Sequence, residues 1–278
     1  MWEAYQRSKF DRPFLTQPEL QPYHKGQFDS AVEKNAKIWN LQHGLQSLTD
    51  KLEATIIQLP NAQIELDTSV VKIERNNLGE FQVTNARGHS STFDQIFSTI
   101  APDVLGSILD PNSFPDDLIS SLSQFRFSTV HVYLVELKDM ILPKDIGFGF
   151  LVPTCEDESI LGVIYDSCSF PEHDAVGSRF TIMTTKALNP ADVLKYCINI
   201  ETCDWQHELV ASIPLMDAYH LNNAQPVKEE AKKLGLNLIG NYFNGVSVND
   251  CLYNAAVEMQ NYCDSQRYLN VQSNTPFH

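Results

Sequence analysis

The sequence contains neither G-x-G-x-x-G nor G-x-x-x-x-G-K-[ST]. No self-contained dinucleotide site or phosphate-binding loop can therefore be built from it, because both need glycines that let backbone amides close around a phosphate. There is no G-x-S-x-G nucleophile elbow. His207-Glu208 lacks a second histidine, since position 211 is Ala, so a zincin site is excluded. None of the six cysteines, at 155, 168, 197, 203, 251 and 263, forms a Cys-x-x-Cys pair, and no histidine spacing completes a zinc set. Reduced thiols in an intracellular protein are the expectation. The uncharged stretch that includes Asn237 to Asn249 falls short of the ~18 apolar residues a membrane helix needs. The opening residues, MWEAYQRSKFDRP, carry no apolar core for a secretory signal. A chain that is soluble, or attached to a membrane only peripherally, is expected. Basic residues are also scarce: 20 against 35 acidic ones, a net charge of −15. Such a field repels phosphate backbones and argues against nucleic-acid binding.

What is present is enough for a sizeable core: 43% of the 278 residues are hydrophobic and 10% aromatic. Residues 1 to 37 are polar and broken by Pro13, Pro18 and Pro22, and read as a connector. Leu45, Leu48, Leu52, Ile56 and Leu59 recur at helical spacing until Pro60, which predicts an amphipathic helix of about four turns. Strand-like pieces follow, through Ile64, Leu66, Val70, Val71 and Ile73, then Phe81 and Val83, then Phe93, Ile96 and Ile100. Turns are expected at Asn76-Asn77-Leu78-Gly79 and Arg87-Gly88. Short helices are predicted at 103–109 and 117–123. Strands are predicted at 127–137, 148–152, 160–165 and 180–183. Residues 187 to 226 resist assignment. A buried strand at 236–240 leads through a glycine-containing loop to a helix at about 250–266, with Leu252, Ala256, Met259 and Cys263 on one face. The pattern is an α+β or α/β mixture.

The most informative stretch is Gly240 to Leu252, GNYFNGVSVNDCL. Strand, glycine, polar loop and helix start is the geometry that turns backbone amides toward an anionic ligand, with Ser247 or Asn249 as cap and Asp250 favouring the positive helix end. An ordinary capped strand-to-helix turn has the same spacing. The wording goes further, because GNYFNGVSVNDCL closely resembles the C-terminal flavin-contacting signature of the protoporphyrinogen oxidase family, within the flavin amine oxidase superfamily. Three more stretches resemble that family in the same order. They are IWNLQHGLQSLTDKL (38–52), FDQIFSTIAPDVL (93–105) and GFGFLVPTCEDESILGVIYDSCSFPEHD (147–174).

The resemblance implies the C-terminal part of an FAD-dependent amine-oxidase-like fold, with FAD-domain pieces at 38–106 and 229–266 flanking a mainly β substrate-domain segment at 107–228. Residues 1–37 are then a connector and 267–278 a tail. It implies non-covalent FAD and oxidation of protoporphyrinogen IX to protoporphyrin IX, with oxygen as acceptor and hydrogen peroxide as by-product. It also implies a homodimer and a peripheral place on the mitochondrial inner membrane. By resemblance, Gly240, Val246, Ser247 and Val248 lie beside the flavin, where the loop amides and helix start would stabilise charge on the reduced ring. Val70 contacts the adenine end through its backbone, and Ser98 and Thr99 let the chain run close to the cofactor. Phe148, Gly149, Leu151, Ile164 and Met183 line the flat apolar substrate pocket; read without the family, all five are core strand residues. No catalytic residue is assigned.

The sequence departs from the family in several places. His43-Gly44 stands where the family has Gly-Gly, and Thr184-Thr185 where glycines follow the family's methionine. The family's N-terminal βαβ unit and its propionate-pairing arginine have no counterpart, and neither Arg126 nor Arg179 matches that arginine. The expectation is accordingly a chain that alone binds FAD poorly and turns over negligibly. A non-catalytic porphyrin-binding or interaction protein, and an amine oxidase of the same superfamily, stand as alternatives.

Overall fold

The computed structural model describes residues 40–41, 43–139, 141–143, 146–171, 177–198 and 205–273. The chain divides into two compact units, Met1–Ala62 and Gln63–His278. In the first, Gly44 turns the backbone at φ +76° and helix α1 (Gln46–Ile56) follows. The helix is a turn shorter than the leucine spacing predicts, stopping short of Pro60, and none of its residues is buried.

The second unit opens with an antiparallel meander, β1 (Val70–Arg75), β2 (Phe81–Asn85) and β3 (Ser90–Phe93). Its two turns are those expected from the sequence. Asn76 Oδ1 accepts from the amides of Leu78 and Glu80, and Asn85 Oδ1 from those of Arg87 and His89. Gly79 and Gly88 supply the positive φ that closes each turn. Strand β4 (Ile96–Ser98) then leads to α2 (Pro102–Ile108) and α3 (Asp116–Ser123). Pro102 starts α2 without losing a needed donor, and Asp116 and Asp117 sit in the first turn of α3, at its positive end.

A five-stranded antiparallel sheet follows. It comprises β5 (Phe127–Leu137), β6 (Gly149–Leu151), β7 (Ile160–Tyr165), β8 (Ser178–Thr184) and β9 (Trp205–Pro214), in the order β6-β7-β8-β5-β9. Short α4 (Asp166–Ser169) follows β7, and α5 (Pro190–Ile198) lies between β8 and β9. The chain returns through α6 (Ala218–Lys233) to β10 (Leu236–Leu238), which pairs in parallel with β4, and ends in α7 (Val248–Ser273). The mixed α+β composition read from the sequence is therefore present. Residues 187–226, unassigned from the sequence, hold α5, β9 and half of α6.

Two cores hold these layers. One gathers Ile73, Phe81, Leu105, Leu118, Leu122, Phe125, Val227, Leu236, Leu238, Tyr242 and Phe243, so elements from both ends of the unit share it. The other lies on one face of the five-stranded sheet and holds Tyr133, Val135, Val163, Tyr165, Phe180, Ile182, Val193 and Leu194. Between the meander and α6, the Arg75 guanidinium stacks over the Phe81 ring at 3.7 Å and donates to the Gly79 and Leu234 carbonyls. This cation–π contact needs the planar fork of arginine.

Helix α7 docks differently from its apolar spacing. Leu252, Ala256, Met259 and Cys263 do share a face, but it is the solvent face. The inward side is polar and aromatic. Glu258 is buried between Lys228 at 2.8 Å and Lys232 at 2.7 Å on α6. Asn254 donates to the Phe243 carbonyl, and Tyr262 meets Phe97 edge-on at 5.2 Å.

Two expectations follow for stability. Burial pushes the Glu258 carboxyl up, but the hydrogen bonds and charges of Lys228 and Lys232 outweigh that and hold it below the usual range. Its contribution is therefore present above about pH 4.3 and lost as pH falls through the depressed folded value. Glu258→Gln leaves the mostly buried Lys228 ammonium uncompensated and should cost about 3 kcal/mol in urea unfolding at neutral pH. His220, on α6, is buried with Nδ1 lacking a partner among the described residues. Burial lowers its pKa against the opposing pull of Asp217. Below about pH 6.5 the unfolded chain gains a proton that the folded one resists, so stability falls with pH. His220→Phe should flatten that slope, read as the difference between urea midpoints at about pH 5.5 and 7.5.

Candidate functional site

The first candidate site lies at the C-terminal ends of the parallel strands β4 and β10, where open α/β sheets hold ligands. Ser98 pairs with Leu238, and the Ser98 carbonyl accepts from the Ile239 amide at 2.9 Å. Buried Ser98 and exposed Thr99 thus sit beside the loop that leaves β10. That loop is anchored by two aromatics. Tyr242 is buried and donates through its hydroxyl to the Ile239 carbonyl at 3.0 Å; burial pushes its pKa up. Phe243 packs on the Tyr242 ring at 4.6 Å and on Phe125 at 6.3 Å. His220 meets Phe125 edge-on at 5.4 Å, and Phe125 in turn packs on Phe243 of the loop.

The glycines of this loop have internal reasons. A Cβ on Gly240 would overlap the Tyr242 ring, and one on Gly245, at φ +134°, would overlap the Asp250 carboxylate. Asn244 takes the left-handed conformation at φ 56°, which asparagine tolerates well. After Gly245 the chain turns outward: Val246 and Val248 are about half exposed and Ser247 is exposed.

Ser247 caps α7. Its Oγ accepts from the Asp250 amide at 3.1 Å, and Asp250 Oδ2 accepts from the Ser247 amide at 3.1 Å and from its hydroxyl at 2.7 Å. This reciprocal box is the S-x-x-D form of a helix start. Of the two expected caps, Ser247 and Asn249, it is Ser247 that serves, and the helix begins at Val248, two residues before the expected start at about 250. The amides of Val248 and Asn249 have no intrahelical acceptor. The Asp250 carboxylate, however, sits at the positive end of the helix and offsets part of its dipole. Burial and then the Asp250 charge raise the pKa of neighbouring Cys251.

Of the residues assigned to the cofactor by resemblance, Ser98 and Thr99 lie at the end of β4 beside the start of the loop that carries Gly240, and Val246, Ser247 and Val248 lie at the far end of that loop, at the start of α7. Val70 does not join them in a sheet: it starts β1, half exposed, opposite Asn85 and beside a bulge. His43 is exposed, within the first unit. Val246, Ser247 and Val248 form an exposed strip in which two apolar side chains flank the capping serine at the helix start.

The second candidate site is the free face of the five-stranded sheet. Leu151, Gly162, Met183, Val132 and Leu209 stand opposite one another across all five strands. Gly149, Ile164, Thr181, Leu134 and His207 form the adjacent row. At the usual strand spacing each row is about 19 Å across. Side chains pointing the other way, such as Val163, Phe180 and Ile182, fill the second core. The alternation in β8 is clean: Ser178, Phe180, Ile182 and Thr184 are buried, while Arg179, Thr181 and Met183 are not. Gly149 and Gly162 let β6 close onto β7, because a Cβ on either would overlap the facing backbone. Four of the five substrate residues assigned by resemblance, Gly149, Leu151, Ile164 and Met183, therefore share one face. Half-exposed Phe148 flanks it, its carbonyl accepting from the Tyr165 amide at 2.8 Å.

The far end of this plate is polar. Thr181 Oγ1 donates to Asp166 at 2.7 Å, and Arg179 pairs with Glu136 at 2.9 Å. The sequence reading passed over these groups as members of the face, although the period-two alternation of β8 alone places Arg179 and Thr181 with Met183. Leu151, 80% exposed, makes the open part of the plate apolar. Among the described residues no group of three or more His, Cys, Asp or Glu is arranged for a metal ion. Cys155, Cys168, Cys251 and Cys263 are free thiols. No described helix is long and apolar enough to cross a membrane.

Comparisons with known proteins bear on both sites. The model of the flavin containing amine oxidoreductase family matches residues 19–192, a span that includes β5 to β8 of the sheet and ends before β9 and the Gly240 loop. The protoporphyrinogen oxidase of Bos taurus is 28% identical over 256 residues, covering 81% of this chain and 53% of its own length. That of Dictyostelium discoideum is 30% identical over 148 residues, covering 52% of this chain and 28% of its own. A solved structure from Exiguobacterium sp. 255-15, described as a candidate protoporphyrinogen oxidase, superposes with a TM-score of 0.66 at 18% identity. The match covers 80% of this chain and 51% of that one. Reduced UDP-galactopyranose mutase superposes with a TM-score of 0.53 at 14% identity, over 68% of this chain and 45% of its own, which again bears on fold alone. The chain spans about half the length of the bovine relative and of the Exiguobacterium structure. With a family match over more than half of its residues, and with it the implication of FAD as cofactor, the chain belongs to the flavin containing amine oxidoreductases.

Proposed function

We propose that the chain forms part of an enzyme oxidising protoporphyrinogen IX to protoporphyrin IX. The carrying observation is the apolar rows of Leu151, Ile164, Met183, Val132 and Leu209 across the outward face of the five-stranded sheet. A tetrapyrrole macrocycle is apolar on its faces and ionic at its rim, and such a ligand calls for a broad apolar wall with water at its edge. The wall would hold the ring flat and exclude water from one face. Bound FAD would supply the electron acceptance, with oxygen as the final acceptor and hydrogen peroxide as by-product. On this chain, the Val246–Val248 strip would hold an edge of the flavin through apolar contact and the amides at the start of α7. Bovine and Dictyostelium relatives carrying that enzyme name support the substrate class. Peripheral attachment to the mitochondrial inner membrane belongs to the same proposal and rests on the family resemblance.

A second reading, oxidation of a polyamine, draws support from the net charge of −15, which attracts polycations better than a dianionic macrocycle.

The test uses the full chain, incubated with FAD, desalted and titrated with protoporphyrin IX under visible absorption. Leu151→Asp and Met183→Lys each place a charge on the plate, and each should weaken porphyrin binding about tenfold or more, given ~1.5–3 kcal/mol for a buried apolar side chain. Neither should alter flavin retention. Val246→Asp should do the reverse, lowering retained flavin absorption while porphyrin affinity stays. Porphyrin binding indifferent to both plate variants, or a flavin reduced by a polyamine and not by protoporphyrinogen, would defeat the proposal.

A further inference from the structure

The apolar plate ends in a carboxylate. In the two rows that run through Met183 and Thr181, the polar side chains are Thr181 and His207. Thr181 stands opposite Ile164 on the outward face, and its hydroxyl donates to Asp166 Oδ2 at 2.7 Å. That bond sets the carboxylate of Asp166, half-buried at the start of α4, against the row that holds Ile164 and Leu134. The Thr181 hydroxyl is neutral, so it orients Asp166 without cancelling its charge. A second carboxylate, Glu136, lies two residues beyond Leu134 and opposite Arg179. The Arg179 guanidinium answers it through Nε at 3.0 Å and a terminal nitrogen at 2.9 Å.

We infer that Asp166 lets the plate tell a porphyrinogen from the porphyrin it becomes, by accepting pyrrole N–H groups that the porphyrinogen alone turns toward it. The inference rests on the substrate reading above and adds to it a residue for discrimination. The four pyrroles of a porphyrinogen are joined by saturated carbons, so they tilt and bring several N–H groups to one side of the macrocycle. A porphyrin is conjugated and flat. Its two N–H groups point inward in the ring plane, where a carboxylate beside its face meets neither end-on. An ionised carboxylate accepts N–H bonds about twice as strong as those between neutral groups. It offers about four acceptor sites, more than the Thr181 hydroxyl occupies. The same charge repels propionates, so the group that Asp166 takes from the macrocycle is an N–H. Ile164, Leu134 and Met183 hold both macrocycles alike through apolar contact, which leaves the difference between them to Asp166. The plate thus loosens its hold as the ring flattens, and favours exchange of product for substrate.

The test is an anaerobic competition titration of the full chain without added FAD. Protoporphyrinogen IX displaces protoporphyrin IX, and the visible absorption of the porphyrin is read. Protoporphyrinogen should bind the wild type about tenfold more tightly than protoporphyrin does. In Asp166→Asn that preference should vanish through weaker protoporphyrinogen binding, while protoporphyrin affinity stays within about twofold. The unchanged porphyrin affinity also reports an intact plate. Asparagine keeps an oxygen for the Thr181 hydroxyl but presents N–H groups where the carboxylate presented acceptors. Thr181→Val retains the charge and removes the bond that orients it, and should lower the preference about threefold. Equal affinity of the wild type for the two macrocycles, or a preference that both variants keep, would overturn the inference and leave the plate standing. A chain that binds no porphyrin at all would strike the substrate reading itself, and this inference with it.

Discussion

The parallel pairing of β10 with β4 is the constraint on which the second unit depends. Asn237, buried in β10, donates to the carbonyl of Ile96, 141 residues earlier in the chain, and the Ile239 amide closes on Ser98. Joining such distant segments costs loop entropy that grows slowly with length, so the long insertion adds little beyond what a shorter one would cost. The first core offsets that cost. Leu236 and Leu238 enter beside Phe81, Leu105 and Leu118, all excluded from water. Because this core draws on both ends of the unit, the five-stranded sheet can be inserted between them with a core of its own.

Once β10 is fixed, the loop after it has little freedom. Tyr242 must fold back over Gly240, Phe243 must fill the gap by Phe125, and Asp250 must reach over Gly245 to Ser247. Each glycine is required by a neighbour within the chain. What remains exposed is the strip of Val246, Ser247 and Val248 at the end of the loop. The same logic shapes the plate: Gly149 and Gly162 bring β6 close, so that Leu151 stands out beside a position with no side chain.

Much of this was legible where one short-range signal dominated. The Asn-x-x-Gly turns bounded β1 to β3, and the strand expected at 180–183 lies within β8, whose full span Ser178–Thr184 alternates between the core and the open face. The stretch from 187 to 226 was not legible, for a physical reason. Strand β9 is an edge open on both faces, so His207 to Ile213 shows no contrast between a wet side and a dry one. Pro226 falls inside α6, where it reads as a stop signal, yet the helix continues to Lys233. Helix α7 misled in another way. Its apolar stripe faces solvent, while Glu258, which looks like a surface residue, is buried where Lys232 and Lys228 of α6, 26 and more residues away in the chain, neutralise it. Ion pairing across elements leaves no periodicity to read.

For the loop site, sequence pattern and electrostatics pull apart. Strand, glycine, loop and helix start is the pattern of an anion cradle, and it is present. Yet the positive end of α7 already carries the Asp250 carboxylate, locked by two hydrogen bonds from Ser247. A helix dipole worth about half a charge at its N-terminus cannot serve a full internal anion and an external one equally. The expected stabilisation of charge on a reduced flavin by this helix start is therefore weakened, and what remains is the reach of two amides and the apolar contact of two valines. On the proposed reading, that division leaves the loop a positioning task. It leaves any strong charge stabilisation of a bound flavin to groups outside this helix start, in a chain whose own balance is 15 charges negative.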